Sequence, residues 1–167
     1  QYPENKEVKE SEEFNIYGKK IYQHLEKIGG IMLQAIAAYL GLDRNHFHSI
    51  VWNGNSILRA IHYPPILEDP KDAIRAGEPE VINLITLLVG ASADGLEVLN
   101  RNNEWVGITE VEDHIVVNVG DMLQRYTNDK LISTTHRVIN PPKEKWPEPR
   151  FSIPFFLHPR PEARLDC

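Results

Sequence analysis

The apolar residues of this chain keep a helical period as far as residue 39 and then break into short runs separated by turn residues. In the first part they fall at 14, 17, 21, 25, 28, 32, 36 and 39, at steps of three or four, which makes one stripe along a helix. Ser11 is placed to cap the start of that helix and Gly41 to end it. Gly29-Gly30 lies inside the stripe and is expected to weaken or bend the helix locally. Beyond Leu42 the period changes. Runs rich in β-branched residues cover Ser56 to Tyr63, Ile82 to Val89, Leu96 to Leu99, His114 to Val119, Ser133 to Ile139 and Phe151 to Leu157. Between them stand Pro64-Pro65, Asp94-Gly95, Asn102-Asn103, Gly120-Asp121, Asn128-Asp129 and Pro141-Pro142, all turn or breaker chemistry. Asp94-Gly95 is a hairpin-turn candidate, and Lys143 to Pro149 reads as a loop before the last strand. One helix followed by many short strands, with no helix among them, predicts a mainly β fold: a sandwich or barrel of antiparallel strands with the long amphipathic helix lying against a sheet.

The chain has 167 residues, which suits a single domain able to bury a core. A formal charge of −6 without a basic stripe argues against a nucleic-acid surface. The longest apolar stretch, Ile31 to Leu42, is interrupted by Gln34 and Gly41 and is too short to span a membrane. The first residues, Gln1 to Glu7, are polar and acidic, unlike a secretory signal. A lone cysteine, Cys167, excludes an internal disulfide and suits a reducing cytoplasm.

Three segments carry chemistry-bearing residues in order: Ala76 to Leu88, Ser133 to Val138, and Arg150 to Phe156. Non-haem iron oxygenases hold Fe(II) with two histidines and one carboxylate on one side of the metal, leaving the other side for cosubstrate and oxygen. Residues i and i+2 share a strand face, so a His-x-Asp pair at a strand start makes a natural clamp. An arginine deeper in such a barrel can grip a carboxylate cosubstrate through two parallel hydrogen bonds.

On these segments, from Asn55 to Pro161, the chain resembles the isopenicillin N synthase-like family of Fe(II)/2-oxoglutarate-dependent dioxygenases. The resemblance implies a double-stranded β-helix, a jelly-roll or cupin-like barrel over residues 55–161, backed by the helix of a lead-in over 11–41. It implies Fe(II) and 2-oxoglutarate as cofactors and a small molecule as substrate, one of whose C–H bonds is oxidised as 2-oxoglutarate is decarboxylated. His136, within Thr135-His136-Arg137-Val138, matches the distal iron ligand. Arg150 and Ser152 match the Arg-x-Ser that binds the distal carboxylate of the cosubstrate. Tyr63, before Pro64-Pro65, matches a tyrosine that contacts it, whereas Ile61 stands where many members have asparagine.

The proximal iron pair departs from the family. A gapless match of Ile82-Asn83-Leu84-Ile85-Thr86 puts Pro79 at the histidine and Val81 at the aspartate, and neither side chain can bind iron. Strand alternation would turn Glu78 and Glu80 to the opposite face, so either could substitute only through a slip or a bulge marked by Pro79. Family members also carry an N-terminal lobe of about a hundred residues and run on past Cys167, so the chain reads as trimmed at both ends. Three accounts stay open: an oxygenase by fold and origin, a catalytically inactive barrel that binds or interacts, and a chain altered at residues 76–81 and at its ends.

Other residues are read more plainly. His46-x-His48 near Asp43 has metal-like spacing but lies in a polar turn. His62 is expected to point outward from its strand, and His114 follows a turn. Trp52, Trp105 and Trp146 are expected to be packing residues, and Glu4 to Glu13 a solvated helix start.

Overall fold

A computed structural model of the chain describes residues 5–77, 81–90, 95–109 and 113–166. The chain forms two compact units that meet in sequence at His48 and Ser49, between the expected helical lead-in and the expected β core. The first is built on α1, Glu12–Tyr39. The Ser11 side chain accepts the Phe14 N–H at 3.2 Å, and Glu12 and Glu13 sit where the helix dipole favours negative charge. At the other end Gly41, at φ +73°, donates to the Ala38 carbonyl and Leu42 to the Ala37 carbonyl, a Schellman close that only a residue at ease with positive φ makes without strain. The helix runs unbroken through Gly29-Gly30. Its fully buried row is Leu25, Gly29, Leu33 and Ala37, with the expected Ile28, Met32 and Ile36 half-buried beside it and Phe14, Tyr17 and Tyr39 exposed. The small Gly29 and Ala37 escape a search for apolar side chains, which is why the stripe is displaced by one position.

The second unit is mainly β and antiparallel throughout its described pairings. Its strands are β1 (Ile57–Leu58), β2 (Ile61–Tyr63), β3 (Ile85–Val89), β4 (Leu96–Leu99), β5 (Trp105–Gly107), β6 (Ile115–Val119), β7 (His136–Val138) and β8 (Arg150–Leu157). One sheet runs β1-β8-β3-β6, with β2 also paired to β8, and the other runs β5-β4-β7. The central strand β3, Ile-Thr-Leu-Leu-Val, is β-branched and aliphatic, fits a pleated surface, and buries Ile85, Thr86 and Leu87 between β6 and β8. The run expected as one strand from Ser56 to Tyr63 is divided at Arg59 and Ala60. Pro154 explains the division. The register of Leu58 with Phe155 and Ile61 with Ser152 brings Arg59 opposite Pro154, whose carbonyl accepts the Arg59 N–H at 3.0 Å but whose nitrogen has no hydrogen to return.

Several short elements were not legible in the sequence pattern, among them the one-turn helix α2 (His48–Val51). Strand β5 is only three residues long, and Gly120-Asp121 and Asn128-Asp129, expected as turns, flank a short helix, α3 (Asp121–Tyr126). The α3 start is held by the segment before β3: the Asp121 N–H donates to the Val81 carbonyl at 2.8 Å and the Met122 N–H to the Asn83 carbonyl at 3.0 Å. Gly120 lies so close to Asn83 that an added Cβ would strike both its side-chain and main-chain oxygens. Trp52, expected as a packing residue, is exposed, whereas Trp105 lies under the Arg137 guanidinium at 4.0 Å and the Trp146 indole N–H donates to the Pro141 carbonyl. Among the described residues no helix is long and apolar enough to cross a membrane.

Candidate functional site

Strands β2 and β8 bring three of the expected site residues together. Their register sets Tyr63 directly opposite Arg150 and Ile61 opposite Ser152. Alternation then places Ile61, Tyr63, Arg150 and Ser152 on one face of the pair. His62 and Phe151 share the other face, their rings stacked at 4.7 Å, so His62 points outward as expected. Arg150 is only 2 % exposed and Ser152 is also buried, while Phe151 between them is half exposed. The Arg150 guanidinium carbon lies 5.2 Å from the centre of the Tyr63 ring, a cation over an aromatic face. A planar guanidinium on one buried face with a hydroxyl suits the grip of a carboxylate through parallel hydrogen bonds.

His136 stands in the other sheet, on β7, opposite Val98 of β4. Its ring Nδ1 is 3.3 Å from the Thr134 carbonyl, an arrangement that fixes the ring and leaves Nε2 as the remaining ligating atom. The next residue, Arg137, faces the opposite way, with its Nε donating to Glu97 at 2.7 Å and its guanidinium over Trp105.

Val81 is 6 % exposed and lies ahead of β3 in irregular backbone pinned to α3. The expected strand from Ile82 therefore begins later, at Ile85, and the alternation expected to turn Glu78 and Glu80 away from residue 81 does not reach it. Pro79, Glu78 and Glu80 lie outside the described residues. Among the described residues no three His, Cys, Asp or Glu side chains are grouped to hold a metal, which leaves His46-x-His48 without a third ligand there. A buried valine offers iron nothing, and a proline side chain has no donor atom, so the residues at these positions do not fit Fe(II).

Two polar residues near these segments carry no signal in the sequence. Asn83 is fully buried, its side-chain amide donating to the Thr86 hydroxyl at 2.8 Å. Arg75 is half-buried, and its Nη2 donates to the Glu148 carbonyl at 3.2 Å, two residues before Arg150. Burial lowers the Arg75 guanidinium from its ordinary pKa, and the neighbouring Tyr63 acts in the opposite sense. Next to it, Ala76 exchanges two hydrogen bonds with Val138 of β7, at 3.0 and 2.9 Å. Nothing in the local pattern marks Arg75, because its hydrogen-bond partner, Glu148, lies 73 residues away in sequence.

Residues 54–159 match the sequence model of the 2OG-Fe(II) oxygenase superfamily. The chain belongs to this superfamily. It is similar to the 2-oxoglutarate-Fe(II) type oxidoreductase hxnY of Emericella nidulans, with 32 % identity over 163 residues, covering 96 % of this chain and 46 % of that protein. A full-length Neurospora crassa protein, solved in complex with alpha-KG, superposes with a TM-score of 0.84 at 35 % identity, over 90 % of this chain and 48 % of that one. A Caulobacter crescentus protein of the 2OG-Fe(II) oxygenase family superposes with a TM-score of 0.78 at 52 % identity, over 85 % of this chain and 46 % of that one. The chain thus spans about half the length of the relatives it matches. An antiparallel β fold with an N-terminal helix is what it shares with the structural neighbours in this superfamily.

Proposed function

We propose that this oxygenase chain holds 2-oxoglutarate at Arg150, Ser152 and Tyr63, and that its Fe(II) site is incomplete. The observation that carries the reading is the shared face of β2 and β8, on which a buried guanidinium, a buried hydroxyl and a tyrosine converge. In this assignment Arg150 grips the distal carboxylate, Ser152 donates a further hydrogen bond, and Tyr63 lies against the bound acid. His136 is the one iron ligand assigned, since Pro79 and Val81 supply none. The two sheets are taken to close as a double-stranded β-helix over residues 55–161. The family's reaction, oxidation of a small-molecule C–H bond with decarboxylation of 2-oxoglutarate, is assigned to intact relatives, and a cytoplasmic location to this chain, whose single cysteine suits it. The N. crassa protein is also solved with thymine and with 5-formyluracil, which supports a small molecule as substrate here. The chain with residues 79 and 81 as they stand is expected to bind the cosubstrate without turning it over.

Calorimetric titration with 2-oxoglutarate tests the cosubstrate assignment. Saturable binding that falls at least about tenfold in Arg150→Gln is expected, because a lost charge-assisted hydrogen bond is worth about 1.5–3 kcal/mol. Equal binding by both chains would remove Arg150 from the site.

A further inference from the structure

A second guanidinium lies at the turn that leads into Arg150. Arg75 reaches the Glu148 carbonyl through Nη2, within the turn that leads into Arg150, and Ala76 beside it is bonded to β7 on both sides of one bridge. Its position is thus fixed from two directions, by the loop before β8 and by the strand that carries His136. Its Nε is buried and has no hydrogen-bond partner among the described residues. Among the described residues no carboxylate pairs with it, and its contact with Glu148 is to main-chain oxygen. A buried guanidinium N–H without an acceptor costs roughly 1–3 kcal/mol, a cost that an incoming oxyanion would relieve. Burial also weakens the hold of the guanidinium on its charge, and an anion would reverse that.

We propose that Arg75 is a second anion-binding group of this pocket, so that a dicarboxylate is held between two guanidiniums, Arg150 and Arg75, without a metal. The proposal rests on the assignment of Arg150 to a carboxylate. Where a metal would chelate the keto-acid end of 2-oxoglutarate, Arg75 supplies a positive group for that carboxylate instead. Recognition then depends on two carboxylates and not on the keto group.

The test is calorimetry on the intact chain in excess EDTA, with 2-oxoglutarate, glutarate and butyrate as probes. Glutarate keeps both carboxylates but lacks the keto oxygen, and butyrate keeps one carboxylate. The expected order is 2-oxoglutarate and glutarate equal within about threefold, and butyrate at least about tenfold weaker. Arg75→Gln should bring glutarate down to the level of butyrate and leave butyrate unchanged. Arg75→Lys, which keeps a cation and a donor for Glu148, should recover part of the difference. A residue that merely braced the Glu148 loop would weaken all three probes together, and that result would overturn the proposal. So would glutarate binding no tighter than butyrate, or no binding in EDTA. If Arg150→Gln changes nothing, the carboxylate assignment itself fails, and the two failures are told apart by which arginine matters.

Discussion

Arg150 and Gly120 define the strongest constraints on single residues. Ser152 sits two positions along the same buried face as Arg150, so its hydroxyl should contribute one neutral hydrogen bond to a bound carboxylate. Ser152→Ala is expected to weaken 2-oxoglutarate by about fivefold, corresponding to about 1 kcal/mol, well short of the loss in Arg150→Gln, and calorimetry on both variants ranks them. Gly120 matters for a different reason. Its backbone conformation is open to any residue, but the Asn83 oxygens occupy the space a Cβ would need. Gly120→Ala should therefore destabilise the fold by roughly 1–3 kcal/mol through overpacking, read from urea unfolding with the m-value unchanged. Tyr63, Arg150 and Ser152 stand out in the sequence because they lie in short motifs whose order is informative, and the fold sets them on one face. Arg75 and Asn83 do not stand out, because their partners are set by the fold: Glu148 for the first, Thr86 and the start of α3 for the second.

The elements followed from periodicity wherever one face is buried and a full-length run expresses it. Helix α1 and the strands β3, β4, β6 and β8 fall where the pattern put them, to within a few residues. Short elements carried no such signal. Three residues in β5 and six in α3 are too few to show a period, and the Gly and Asp at the start of α3 look like a turn from sequence alone. The division of β1 from β2 has its cause on a different strand, in the missing N–H of Pro154. Pro154→Ala returns a donor opposite Arg59. The amide of residue 154 should then exchange as slowly as its neighbours on β8, by hydrogen exchange followed with NMR. Rapid exchange at that amide would show that the break between β1 and β2 has another origin.

On the scale of the whole molecule, β2 and β8 pair in register across the residues proposed to hold the cosubstrate, while the positions matched to the proximal iron ligands hold a proline and a buried valine. An apolar residue at position 81 is consistent with a chain that keeps no cation there, since an unpaired carboxylate in that buried setting would be destabilising. Pro79→His/Val81→Asp should accordingly lower stability in EDTA and regain it when Fe(II) is added, as binding to the folded state alone must do. The most direct measurement is anaerobic equilibrium dialysis of Fe(II) against the unmodified chain and this double variant. The account predicts little Fe(II) on the unmodified chain and stoichiometric Fe(II) on the variant. Stoichiometric Fe(II) on the unmodified chain would contradict it, as would a folded variant that binds no more metal than the original.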